Sequence, residues 1–182
     1  MNQTTMSISV KYVAYCLLAV FITFFLHEAA HFITGNSLGY SMSMTLNSAG
    51  LLDGQVYQQE WHQQTVSIAG PIFTIIQAIV LFSILTIKNL KTWYPYIFTA
   101  ALMRTMASVI SYLTLANDEA RVSQWLNIGK MTLPILVSVF LIFLVIKVTL
   151  IYNISWKFNT ATFFIISLGI SLLVYTNQLI FK

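Results

Sequence analysis

The chain has 182 residues, 58% hydrophobic and only 8% charged, with a mean hydropathy of +0.79, which excludes a water-soluble domain with an ordinary charged surface. Its net charge of +4 comes from nine basic residues scattered along the chain, which argues against nucleic acid as a partner and for the lipid bilayer.

A helix needs about 20 apolar residues to cross a bilayer. Five stretches meet or approach that length: residues 12–34, 65–87, 95–117, 131–151 and 161–180. They predict an all-α membrane protein, a single integral domain over 1–182. A three-helix unit within 12–120 carries the chemistry, and 131–180 adds two further membrane helices. Lys11 before the first apolar run resembles the start of a secretory signal, but "HEAAH" is no small-residue cleavage site, so the segment reads as a retained span. Cys16 is the one cysteine, which leaves no internal disulfide and suits a small apolar filler.

The first span ends in "FFLHEAAHFITG", residues 24–35, where two histidines and a glutamate interrupt hydrocarbon. A charged residue at a membrane helix centre costs about 2.5–3.5 kcal/mol on insertion scales, so such groups point to function. The connection 36–64 is the longest. In it "YSMSMTLN" alternates with period two and "SAGLLDGQVYQQ" supplies Gly50 and Gly54, which together predict a short β-hairpin or edge strand near the membrane surface. Span two opens with "SIAGPIF" and places Gly70, Thr74 and Gln77 on one stripe, a pattern that suits close packing and an interhelical hydrogen bond. In span three Arg104, Ser108 and Ser111, continued through Leu115 to Asp118, recur at helical spacing. On one continuous helix Arg104 stands about 21 Å from Asp118, so no direct pairing is expected, and Glu28 is one possible partner. Spans four and five carry no chemistry: Pro134 suits a helix start, Lys147 snorkels, and Trp93, Tyr94, Tyr96, Trp156 and Phe158 suit interface anchoring.

Alternation of the spans brings "HEAAH", "SIAGPIF" and "LANDEA" to one side of the membrane, the site side, together with six of the seven glycines. The far side carries Lys11, Lys88, Lys91, Lys147 and Lys157, against Arg121, Lys130 and Lys182 on the site side. This bias makes the far side and the N-terminus cytoplasmic and opens the site toward the outer face.

His-Glu-x-x-His on a helix puts His27 and His31 one turn apart on one face, within about 6 Å, so both imidazoles can bind one zinc ion per chain. Glu28 beside them can take a proton from water activated by the metal and pass it to a leaving amine, which is metal-assisted peptide hydrolysis. A catalytic zinc needs a third protein ligand and an open position. The inventory offers Asp53, Glu60, His62, Asp118 and Glu119. Asp118, at the end of the polar stripe on the correct side, is favoured; His62, Asp53 and Glu119 remain open.

These residues resemble the site-2 protease family of intramembrane zinc metalloproteases. "HEAAH" matches its first motif, "IAGPIFTIIQAI" is similar to the Ala-Gly-Pro stretch that often opens its next helix, and Asn117-Asp118 stands where the family carries its aspartate ligand, without the proline and glycine that usually flank it. "LLDG" at 51–54 copies the end of that setting but precedes span two, and Thr74 occupies the place of a frequent asparagine. The resemblance covers residues 15–120. It implies a protease whose substrates are transmembrane segments or their flanks, with His27, His31 and Asp118 on the metal and Glu28 as the acid–base group. A substrate helix must unwind before attack, and a free strand edge within 40–58 can satisfy the backbone groups it releases. Two other classes use the same residues: a metal-handling transporter or sensor, and a non-catalytic relative that binds membrane proteins.

Overall fold

The computed structural model describes residues 7–181; Lys182 lies outside them. In chain order the elements are α1 (Val10–Ser37), β1 (Met42–Met44), β2 (Ala49–Leu51), α2 (Glu60–Lys88), a 3-10 turn at Lys91–Trp93, α3 (Tyr94–Leu113), α4 (Asp118–Trp125), α5 (Thr132–Ile151) and α6 (Trp156–Ile180). Among the described residues five helices are long and apolar enough to span a membrane: Val10–Ser37, Glu60–Lys88, Lys91–Leu113, Thr132–Ile151 and Trp156–Ile180. The fold is therefore the all-α membrane architecture expected, with the predicted hairpin between the first two spans.

The helix ends follow from local chemistry. Ser9 caps α1 by accepting from the Tyr12 amide at 3.2 Å, and Ser155 caps α6 by accepting from Phe158 at 3.2 Å. That cap starts α6 five residues before its apolar run. The polar turn Glu60–Gln64 likewise extends α2 beyond the span expected at 65. Asn89 ends α2 in the left-handed conformation, φ 53°.

The third span departs from expectation. Its helix stops at Leu113 instead of running to 117, and Asp118 opens a separate helix. Asn117 is the cause of the turn: its amide donates to Ser111 Oγ at 3.1 Å and its side-chain Nδ2 donates to the Ala107 carbonyl at 3.1 Å. The chain turns there, and α4 packs against α2 and α5. The proposed continuous stripe is also dissolved, since Ser108 turns to α5, bonding Ser138 Oγ at 2.8 Å and the Pro134 carbonyl at 2.9 Å, and Leu115 is exposed.

The main apolar core lies toward the far side, where Cys16, Leu85, Tyr94, Ile97, Leu141 and Ile166 are fully buried. Three tyrosine hydroxyls at this core are paired: Tyr12 with Thr162 at 2.8 Å, Tyr94 with Asn159 at 2.7 Å, and Tyr152 with the Leu85 carbonyl at 2.8 Å.

On the site side β1 and β2 pair antiparallel, Met42 with Leu51 and Met44 with Ala49. The Thr45 amide bonds the Ser48 carbonyl and the Leu52 amide bonds the Ser41 carbonyl, so 45/48 and 41/52 are hydrogen-bonded pairs. By alternation Met44/Ala49 and Met42/Leu51 are not, and the amides and carbonyls of Ala49 and Leu51 point outward along the free edge of β2. Gly35 allows the sheet to sit close on α1, since a Cβ there would strike the Met42 side chain. At the hairpin tip the Leu46 amide donates to Asn177 Oδ1 of α6 at 2.8 Å. Asn177→Ala is expected to raise hydrogen–deuterium exchange over 45–51 about fivefold, the equivalent of one hydrogen bond of about 1 kcal/mol, with α1 and α2 unchanged. Equal protection in both proteins would show that apolar packing of Leu46 alone holds the tip.

Candidate metal centre

Helix α1 presents His27 and His31 one turn apart, 2% and 5% exposed, on the face packed against α2. The turn at Asn117 delivers Asp118 to the same place. His27 Nε2 lies 3.1 Å from His31 Nε2 and 3.3 Å from Asp118 Oδ2, and His31 Nε2 lies 3.6 Å from that oxygen. The structure thus brings together the three residues favoured as ligands, in a group able to hold a metal ion.

The hydrogen bonds behind the imidazoles fix which nitrogens can bind. Thr74 Oγ1 gives its proton to the Gly70 carbonyl at 3.0 Å, so it accepts from His27 Nδ1 at 2.9 Å. His31 Nδ1 donates to the Val66 carbonyl at 2.6 Å. Both Nε2 atoms are therefore left with lone pairs directed at each other and at the carboxylate, which is the arrangement a cation requires. Pro71, inside α2, has no amide to give the Ser67 carbonyl one turn before it. Gly70 is equally specific: a Cβ there would collide with His31 Nε2 and come within 2.7 Å of the His27 ring.

Burial alone would raise the Asp118 carboxyl, but the two imidazoles and the Arg104 guanidinium outweigh it and hold the group well below the ordinary carboxylate range. Its Oδ2 faces the histidines while Oδ1 accepts from the half-exposed Arg121 at 3.0 Å. This leaves one oxygen as the ligand.

Arg104 corrects the expectation from helix length. It is 2% exposed and lies at the centre of the site, its Nη2 3.5 Å from Asp118 Oδ2 and its Nη1 3.0 Å from His27 Nε2. Its partner is Glu119, through Nε–Oε1 and Nη2–Oε2 contacts of 2.9 Å each. The 21 Å expected held only for an unbroken helix. The other candidates stand apart from the metal group. Asp53 is exposed in a turn, Glu60 is exposed at the start of α2, and His62 Nδ1 accepts from the Tyr40 hydroxyl at 2.7 Å. Thr74 does make the interhelical contact its stripe suggested, and Gln77 donates to Thr23 at 3.3 Å. The bond from Thr74 to a ligand histidine was not legible in spacing alone.

Glu28, 7% exposed, lines the same cavity as Ala49 of β2. The cavity holds about 670 Å3 and is bounded by α1, the hairpin, α2, α3, α4 and, through Ile170 and Val174, α6.

Gly70→Ala is expected to abolish stoichiometric divalent metal, measured by elemental analysis of purified protein, with helical content kept because alanine is the better helix former. Thr74→Val should weaken metal affinity about 10–100-fold by freeing the His27 ring. Full metal loading in Gly70→Ala would mean that the histidines do not act from these positions. No protein-family model, curated protein or solved structure matches this chain, so the site is read from its own atoms.

Proposed function

We propose that this protein is an intramembrane zinc metallopeptidase, similar to the site-2 protease family, that hydrolyses peptide bonds in or near transmembrane segments. The supporting observation is the triangle of donors at 3.1, 3.3 and 3.6 Å, drawn from two imidazoles and one carboxylate. A tetrahedral ion with bonds of about 2.0–2.1 Å needs donors about 3.3 Å apart, and this donor set leaves a fourth position open, the pattern of catalytic zinc. When bound, the ion supplies Lewis acidity that polarises a carbonyl and acidifies water.

The remaining steps fall to side chains of the chain. Glu28 takes the proton of the attacking water and returns it to the leaving nitrogen. An unwound substrate segment pairs with the free edge of β2, where Leu51 turns its amide and carbonyl outward. The edge on the cavity is thus β2 and not the "SMSM" strand. Lysine bias orients the site toward the outer face, with the N-terminus cytoplasmic. A cation transporter fits less well, because a guanidinium within 3.5 Å of two of the three ligands would oppose passage of a cation.

Glu28→Gln should abolish cleavage of single-span apolar peptides in nanodiscs, read by mass spectrometry, while zinc stays at one per chain. Asp118→Ala should remove both zinc and cleavage. Loss of metal in Glu28→Gln, or undiminished cleavage, would overturn the peptidase reading.

A further inference from the structure

Among the described residues Arg104 is the one strongly basic group buried among the spans, and the ligand and proton-transfer roles leave it without a task. A guanidinium beside a cation site is repelled by that cation, and its burial needs compensation. Glu119, 3% exposed, gives that compensation in a specific way. Its two oxygens engage Nε and Nη2, one edge of the guanidinium fork, at 2.9 Å each. The third nitrogen, Nη1, meets no acid. It projects over the His27 ring, 3.0 Å from Nε2 and 3.3 Å from Nδ1, into the cavity that Glu28 also lines. Because His27 Nδ1 already donates to Thr74, the ring has a single acceptor, Nε2, and that lone pair faces the other two ligands. Nη1 carries two N–H groups and the ring offers them one acceptor, at 3.0 Å, so one N–H beside the metal group keeps hydrogen-bonding capacity to spare.

Resting on the peptidase reading, we propose that Arg104 is a catalytic residue: Nη1 donates to the carbonyl oxygen of the scissile bond as that oxygen becomes negative, and Glu119 is the positioning residue that aims it. Water oxygen forms a bond to the carbonyl carbon, its proton passes to Glu28, and the carbonyl electron pair moves onto the oxygen held by Nη1. The pair then returns, the carbon–nitrogen bond breaks, and the proton on Glu28 passes to the departing nitrogen. A fixed donor acts mainly on charge that develops in the transition state, so it raises kcat more than it lowers KM. Lysine cannot replace it, because one ammonium cannot both satisfy Glu119 and reach the oxyanion.

The test uses the full chain in nanodiscs with a single-span peptide that the wild type cleaves, and the phosphinate isostere built at that bond. Arg104→Lys should lower kcat about 10²–10³-fold with KM within about threefold. Zinc should stay at one per chain, and phosphinate affinity should fall in proportion to kcat/KM. Should Arg104→Lys fail to fold, the double variant Arg104→Met with Glu119→Met removes the pair without stranding a charge. The same losses are expected of it. Activity within threefold of wild type, unchanged phosphinate affinity, or loss of zinc together with activity would each overturn the assignment. If the wild type binds zinc but neither cleaves peptide nor binds phosphinate, the peptidase reading itself fails; if Glu28→Gln is inactive and Arg104→Lys fully active, only the role of Arg104 does.

Discussion

Two imidazole lone pairs and a carboxylate oxygen lie within 3.6 Å of one another in a medium of low polarity, where such a group needs positive charge beside it, and the Arg104 guanidinium already stands 3.0 Å from His27 Nε2 and 3.5 Å from the carboxylate. Much of the site half of the molecule serves to hold them there. The protons of both rings are committed elsewhere, to Thr74 and to the Val66 carbonyl, so neither ring can ease this need by changing tautomer. One stretch of α2, from Val66 to Thr74, therefore orients both histidines. Within it Gly70 makes room for the rings.

The same reasoning explains why the third ligand comes from a short helix outside the spans. An aspartate on a continuous α3 would lie far beyond the reach of His27. The turn after Leu113, tied down by Asn117 on Ser111 Oγ and the Ala107 carbonyl, sends the chain across to α4, which packs against α2 and α5. Residues 118 and 119 then arrive together at Arg104. One guanidinium meets both carboxylates, so the pairing that neutralises Arg104 also registers α4 on α3 and sets the depth of Asp118. A buried pair of this kind adds little net stability, and its use here is to specify position.

The histidines and Glu28 were legible because a spacing of four is fixed by helix geometry whatever the surroundings. Asp118 was legible because the chain has only five acids and this one follows span three on the site side, but the stripe that seemed to lead to it is not one face of one helix. The sequence Thr114-Leu115-Ala116-Asn117 contains neither glycine nor proline, and the local sign of a new helix was Asn117 itself, a capping residue ahead of Asp118 and Glu119. The turn depends on the Asn117 side chain reaching a carbonyl ten residues earlier, a tertiary contact. Arg104 was misjudged for the same reason. A stricter accounting of charge would have helped, because an arginine at that depth demands an acid and Glu119 is one of only five in the chain. The hairpin announced itself through alternation; the contact of its tip with Asn177, 131 residues away, did not.

The division of the molecule into a polar half and a dry half has a consequence for any hydrolytic chemistry inside a bilayer. Water must reach the reacting bond without crossing the membrane. The cavity collects its polar lining from the site-side ends of α1, α2 and α3 and from α4, while the far half is closed by Cys16, Leu85, Ile97 and Ile166, with its tyrosine hydroxyls paired to neighbours. Helices α5 and α6 contribute no ligand, yet without them this seal would be incomplete: Ile166 and Leu141 fill it, and Ile170 and Val174 wall the cavity on the side opposite α2. The two helices that carry no chemistry thus confine solvent to the side where the ligands lie.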